Sequence, residues 1–337
     1  MGRFGSEGGD AVIAQHGHQS DEIRIVARAD LGPGLVAELG AWRADGLAVE
    51  VLPERGEDAP FLERLSEADV LLHVLNPVTA DMMARAPRLK LIQKIGVGVN
   101  TIDLEEAVRR GIAVCNMPAT NTAAVAEMTI ALMLVALRRL TAFDRMARGS
   151  TGWHLEAGWE ARLGEIAGRT VGLVGAGAVA RRVAGVLTAM EADVVYWSRT
   201  RQPEFPGRLL DRDELLASSD IVSLHIPLTN ETSHILDRHA IARMKPGAIL
   251  VNTARGGLVE EPALIDALRQ KRIAAAALDV LAIEPPDDNH PLLHEDNVIV
   301  TPHVAWLTQE TWRRSLAIAH ENVLRLARGA PLLHRVA

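Results

Sequence analysis

Three residues in the last quarter of the chain have the types that carbonyl reduction requires. They are Arg255 in Val251-Asn-Thr-Ala-Arg-Gly-Gly257, Glu284 in Asp279-Val-Leu-Ala-Ile-Glu-Pro-Pro286, and His303 in Thr301-Pro-His303. Hydride delivery to a ketone needs a proton for the alkoxide that forms. An imidazole, whose ordinary pKa is ~6.5, can give one near neutral pH. A carboxylate beside the ring favours its protonated form, the part that falls to Glu284. Arg255 adds a permanent forked cation able to hold a substrate carboxylate and draw on a carbonyl oxygen. Taken singly, each has an ordinary explanation: a surface ion pair, a loop charge, a helix cap. Their shared position after predicted strands, where α/β sheets bind ligands, joins them into one candidate site.

A source of hydride is also encoded. Gly175-Ala-Gly177-Ala-Val-Ala180 follows an apolar strand and precedes a helix, the setting of a dinucleotide-binding turn whose third position accepts alanine. Gly175 permits the tight turn, Gly177 lets the backbone approach a pyrophosphate, and Ala180 allows close helix–strand contact. The anion then meets unpaired amides at a helix N-terminus. After the next strand a carboxylate would hydrogen-bond the ribose diol of NAD, yet the sequence there reads Ser198-Arg199-Thr200-Arg201. Ser198 and Thr200 can donate hydrogen bonds, and Arg199 or Arg201 can pair with a 2′-phosphate. NADP is therefore favoured over NAD, with Glu204 as the contrary charge nearby.

Two α/β units must position these groups. From Glu22 to Pro118, strands are predicted at Ile23–Ala27, Leu47–Leu52, Val70–Leu75, Leu89–Ile95 and Ile112–Cys115, with helix-like stretches between them. A single long helix is predicted over Ala123–Arg148, N-capped by Asn121 or Thr122. The segment with Trp153 and Trp159 fits no amphipathic pattern and reads as a packed loop, an arm suited to a partner subunit. A second alternation gives six strands, at Val171–Val174, Val194–Trp197, Ile221–Ile226, Ala248–Asn252, Ala274–Leu278 and Val298–Val300, and a last helix at Gln309–Arg328. The expected architecture is α/β with two domains: a doubly wound Rossmann-type nucleotide domain, 120–304, inserted in a smaller flavodoxin-like substrate domain, 21–119 and 305–337. Residues 1–20 read as a loose leader. The connections near Pro118 and Pro302 would form a hinge.

Composition narrows the function classes. At 337 residues and 48% hydrophobic, the chain can fill two cores. A net charge of -7 argues against general affinity for nucleic acid or anionic membrane. The apolar run Met128–Leu137 falls short of the ~20 residues that cross a bilayer. One cysteine, Cys115, excludes an intrachain disulfide and thiolate-rich metal sites, and the chain reads as cytoplasmic. His290 and His294, among Asp287, Asp288, Glu295 and Asp296, only superficially resemble a metal cluster, and no metal is assigned.

From about Ile23 to Leu326 the chain resembles the D-isomer-specific 2-hydroxyacid dehydrogenases. The motifs are Lys94-Ile-Gly-Val-Gly-Val99 with Ile102-Asp103, Asn121-Thr-Ala-Ala-Val-Ala-Glu127, the glycine loop, Leu224-His-Ile-Pro-Leu-Thr229 with Glu231-Thr232, Val251–Gly257, Ala277-Leu-Asp-Val280 with Glu284-Pro285, and Asn289-His-Pro-Leu-Leu293 with Thr301-Pro-His303. The resemblance places the family's arginine, glutamate and histidine on Arg255, Glu284 and His303. It implies that the backbone amides of Val97 and Gly98 hold the substrate carboxylate, and that Ala178 and Val179 cover the pyrophosphate. It also implies that backbone at Ile226, Pro227 and Thr253 lines the cofactor, and that Asp279 meets the nicotinamide carboxamide. A small 2-oxo or 2-hydroxy acid is the expected substrate and a homodimer the expected assembly. His303-Val-Ala-Trp306 is similar to glyoxylate and hydroxypyruvate reductases. A 3-phosphoglycerate dehydrogenase-like activity and a non-catalytic dinucleotide-sensing protein are the alternatives. Lys94, beside the substrate loop, reads either as a solvated side chain or as a contact for a distal anionic group.

Overall fold

The computed structural model describes residues 22–54, 58–149, 152–155 and 157–337, so the expected leader lies outside the described residues. The first unit runs β1 (Ile23–Arg28), α1 (Pro33–Ala41), β2 (Leu47–Leu52), α2 (Asp58–Glu67), β3 (Val70–His73), α3 (Ala80–Ala84), β4 (Leu91–Lys94), α4 (Leu104–Arg109) and β5 (Ala113–Cys115). Its sheet has the order β2-β1-β3-β4-β5, and every pairing is parallel. The short strands β3, β4 and β5 are buried at every position, because helices cover both sheet faces.

Two further helices, α5 (Thr122–Arg138) and α6 (Leu140–Arg148), replace the single helix expected over 123–148. Arg139 between them adopts φ 48° and ψ 41°, and its amide turns back to Ala136 O and Val135 O. Left-handed backbone at a non-glycine residue ends α5 although no proline or glycine marks the place. Packing separates the two pieces: α5 buries Ala126, Leu132, Met133 and Leu137, whereas α6 buries nothing.

The second unit follows with β6 (Thr170–Val174), α7 (Ala178–Ala189), β7 (Asp193–Trp197), β8 (Arg208–Leu209), α8 (Arg212–Ser218), β9 (Ile221–Leu224), α9 (Arg238–Arg243), β10 (Ala248–Asn252), α10 (Glu261–Arg269), β11 (Ile273–Leu278) and β12 (Val298–Val300). The order β12-β11-β10-β9-β6-β7-β8 is a doubly wound parallel sheet in which the strand order reverses its progression between β6 and β9. It has seven strands where six were expected. The addition, β8, is a two-residue edge pairing of Arg208 and Leu209 with Val195 and Tyr196, too short to show a pattern in sequence.

Each sheet has a core on both faces. Leu215, Ile241, Leu264 and Leu268 cover one side of the second sheet, while Leu132, Met133, Val183 and Leu187 cover the other. The last helix, α11 (Gln309–Ala327), returns to the first sheet. Its Trp312, Leu316, Ala319 and Val323 pack with Ile25, Leu72 and Leu91. There Asn322 Nδ2 donates to Gln93 Oε1 at 2.7 Å, so a buried polar pair fixes the helix along β4. The final residues then run beside β5, with Val114 N–H donating to Ala337 O at 3.0 Å. No helix among the described residues is long and apolar enough to cross a membrane.

Candidate active site

Arg255 follows β10, whose last residue, Asn252, is buried and shapes the turn. Asn252 Nδ2 donates to Arg255 O at 2.9 Å, and its Oδ1 accepts the Ala254 amide at 3.0 Å. This explains the Asn in Val251–Gly257: one side chain satisfies both backbone groups of a sharp exit from the sheet. The guanidinium is held by Ala254 O at 2.6 Å and reaches across to Asn100 Oδ1 at 3.4 Å, in the loop after β4. A Cβ on Gly98 would run into that guanidinium, so any larger residue there would displace the Arg255 side chain from its present place between the two loops. Burial pulls the Arg255 pKa below its ordinary value, and the Glu284 charge opposes this.

Glu284 and His303 are paired. His303 Nδ1 lies 2.6 Å from Glu284 Oε2, while Glu284 Oε1 accepts the Leu281 amide at 2.9 Å. Burial pushes the Glu284 carboxyl up, but the hydrogen bond and charge of His303, the Leu281 amide and Arg255 together bring it below its ordinary value. An ionised carboxylate can only accept, so Nδ1 carries a proton and Nε2 is left for the reacting partner.

The ring is set by strained backbone. His303 has φ 55°, a region that costs a non-glycine residue ~1–2 kcal/mol. Its amide donates to Asp279 O at 2.8 Å and to Thr301 O at 2.9 Å. Asp279, at 1% exposure, accepts the Thr301 hydroxyl at 2.6 Å and the amides of Val304 and Ala305 at 3.0 and 2.9 Å. Burial raises its pKa despite those hydrogen bonds. Both oxygens of Asp279 are thus engaged in holding the turn that presents His303, a use its resemblance-based assignment to a carboxamide did not include.

The glycine loop fits a dinucleotide. Gly175 has φ 114°, and a Cβ there would lie 2.5 Å from His225 O. Gly177 N-caps the twelve-residue helix α7 without any side-chain cap, and a Cβ on it would meet only open space. Ala180 is fully buried against the sheet. Ala178 and Val179 form the first turn, so unpaired amides face the opening where a pyrophosphate would lie. Ile226 and Pro227 follow β9 at the neighbouring strand end, and Thr253, whose hydroxyl meets Thr129 Oγ1 at 2.8 Å, follows β10.

Residues 130–305 match the model of the family described as D-isomer specific 2-hydroxyacid dehydrogenase, NAD binding domain. A glyoxylate reductase of Aeropyrum pernix is 42% identical over 277 residues, which are 80% of this chain and 83% of that protein. A D-3-phosphoglycerate dehydrogenase of Archaeoglobus fulgidus is 38% identical over 87% of this chain, which spans only 56% of that longer protein. The crystal structure of the TT0316 protein from Thermus thermophilus superposes with a TM-score of 0.86 at 37% identity, covering 94% of this chain and all of that one. The chain belongs to the D-isomer-specific 2-hydroxyacid dehydrogenases. It is an NAD(P)-dependent oxidoreductase that uses a nicotinamide dinucleotide.

Other residues of this dehydrogenase stand differently from their sequence expectation. Lys94, read as either solvated or substrate-facing, is only 6% exposed, and its ammonium donates to Val74 O. Burial and the Arg255 charge push its pKa down to about 7, against the opposing charge of Glu54. In the loop after β7, Ser198 Oγ donates to Thr200 O at 2.5 Å, and Arg199 pairs with Glu231 at 3.3 Å. Arg199 thus already has a carboxylate partner, supplied from the loop after β9, which no inspection of 198–201 could reveal. His290 faces Glu261 Oε2 at 3.2 Å and His294 faces Asp288 O at 2.9 Å, so the two imidazoles do not converge. Trp159 stacks on Phe143 of α6 at 4.8 Å, whereas Trp153 is 87% exposed.

Proposed function

We propose that this dehydrogenase reduces small 2-oxo acids of the glyoxylate and hydroxypyruvate type, favouring NADPH, with His303 as proton donor. The hydrogen bond between His303 and Glu284 beside Arg255 carries the proposal. Bound at the glycine loop, the cofactor supplies the hydride. The chain's own groups do the rest. Val97 and Gly98 amides and Arg255 hold the substrate carboxylate and orient its carbonyl. His303 Nε2 gives its proton to the carbonyl oxygen, and Glu284 stabilises the imidazolium before transfer. Arg255 also lowers the energy of negative charge developing on that oxygen.

Gly175, Gly177, Ala178 and Val179 are proposed to hold the pyrophosphate, and Ile226, Pro227, Thr253 and Asp279 to line the nicotinamide half. Ser198, Arg199 and Thr200 are proposed for the 2′-phosphate. An exposed pair such as Arg199–Glu231 contributes only ~0–1 kcal/mol, so the guanidinium can exchange that partner for a phosphate dianion. We also propose a substrate domain of 21–119 with 305–337 and a nucleotide domain of 120–304, closing on the substrate about the connections near Pro118 and Pro302. A cytoplasmic homodimer is proposed, its interface including α6 and the exposed Trp153.

The test is steady-state reduction of glyoxylate, hydroxypyruvate, pyruvate and phenylpyruvate with each cofactor. Turnover of the first two, with kcat/KM at least ~10-fold higher for NADPH, is the expected result. Preference for NADH would remove the assignment of Ser198, Arg199 and Thr200. No turnover on any acid would remove the proposed substrate class.

A further inference from the structure

The dinucleotide turn is wedged between two strand exits. Gly175 N–H donates to Trp197 O at 2.8 Å at the end of β7, and a Cβ on Gly175 would lie 2.5 Å from His225 O, just past β9. The loops that leave these two strands meet again farther out, where Arg199 Nη1 stands 3.3 Å from Glu231 Oε2. One partner of that pair follows β7, the strand at whose end a doubly wound fold holds the adenosine ribose. The other brings a carboxylate to the same place.

Both loops are tied down, so the pairing follows from the backbone as well as from two exposed side chains. Arg181 of α7 donates to Glu204 O at 2.7 Å and to Pro203 O at 3.2 Å, which fixes the far end of the loop after β7. Thr232 Oγ1 donates to Pro227 O at 2.7 Å and accepts the Thr229 amide at 2.8 Å, which folds the chain into a turn beside Glu231. Ser198 turns its single hydroxyl proton onto Thr200 O, whereas Thr200 Oγ1 accepts from Gln202 Nε2 at 3.2 Å and keeps its own proton for another acceptor. The cations of the segment are Arg199 and Arg201, and only Arg199 is in an ion pair among the described residues. A 2′-phosphate held by Arg199 must therefore share a guanidinium that Glu231 already engages. An unphosphorylated ribose makes no such demand.

We infer that Glu231 is a specificity-determining residue for the cofactor: by sharing the Arg199 guanidinium it weakens the hold on a 2′-phosphate, leaves NADH unaffected and so moderates the preference for NADPH. The inference deepens, and rests on, the proposed placing of the 2′-phosphate on Arg199. The pair is exposed, so the effect is a few-fold and is screened by salt.

The experiment measures dissociation constants of NADPH and NADH by fluorescence titration of the full chain at low salt, with no 2-oxo acid present. Both side chains are exposed, so substituting either leaves the fold intact. Glu231→Gln, of equal size and uncharged, is expected to tighten NADPH ~3–5-fold and to leave NADH within ~1.5-fold. Arg199→Gln should weaken NADPH ~10-fold and move NADH by less than ~2-fold. In an Arg199→Gln background, Glu231→Gln should shift NADPH by less than ~2-fold, since the guanidinium it shares is gone. NADPH binding unmoved by Glu231→Gln, matched by an equal change for NADH, or tightened equally in both backgrounds would overturn this role for Glu231 and leave the phosphate on Arg199. NADPH binding unmoved by Arg199→Gln would remove the placing of the phosphate and this inference together.

Discussion

At the end of the second sheet, His303 and Glu284 keep side-chain exposures of 21% and 34% and bond to each other. At the matching end of the first sheet, Arg28, His73 and Lys94 are at 8%, 4% and 6%, their polar heads turned onto Asp58 and the backbone carbonyls of Asn76 and Val74. Both sets lie where parallel sheets gather ligands, yet His73 Nδ1 is buried without a hydrogen-bond partner among the described residues, whereas the His303 ring keeps part of its surface open. The difference is one of chemistry as much as position. An imidazole steadied by a carboxylate through one nitrogen can still exchange a proton through the other, whereas a cation sealed on a carbonyl can only shape the field around a neighbour.

The comparison breaks first at His303. His303→Asn keeps the size and one hydrogen bond to Glu284 but cannot deliver a proton, so kcat for 2-oxo acid reduction should fall ~10³-fold or more. Cofactor affinity, read by fluorescence titration, should stay within ~3-fold, because His303 is not among the residues assigned to the dinucleotide. Retained turnover would move the proton donor elsewhere.

A much smaller effect is expected at the other sheet. Lys94→Met should leave hydroxypyruvate reduction within ~10-fold of the parent, since Lys94 reaches the reacting groups only through the field. Its signature is in stability. Burial holds the Lys94 pKa at about 7, below its ordinary 10.5. Between those values the unfolded chain binds a proton the folded chain has shed, so the lysine site adds stability as pH rises through that window. The unfolding midpoint of the parent should therefore gain on that of Lys94→Met from about pH 7 upward. Parallel midpoints across that range would show the ammonium to be solvated after all.

The same contrast explains what the amino-acid sequence discloses. Arg255, Glu284 and His303 were legible because each carries its own local signal, an Asn-shaped turn, a Glu-Pro pair or a Thr-Pro-His, at the end of a predicted strand. The glycine loop was legible because Gly175 and Gly177 answer separate steric demands within one turn. Lys94 was not, since its burial depends on Val74 and Glu54, brought alongside it only by sheet order. The break at Arg139 was hidden because a left-handed arginine has no marker comparable to glycine. Glu231 stood in a recognised motif, but its pairing with Arg199 was hidden for a topological reason: the loops after β7 and β9 meet only once the sheet is assembled. Asp279 sat in a recognised motif, but its bonds to the 301–305 turn are a property of the folded backbone.

That Glu284 positions the His303 imidazole for proton delivery is tested most directly by the rate of the hydride step. It is measured as single-turnover, deuterium-sensitive reduction of a 2-oxo acid by the parent and by Glu284→Gln. Without the carboxylate the step is expected to slow ~10–100-fold. Equal rates in the two proteins would contradict a catalytic role for the His303–Glu284 pair.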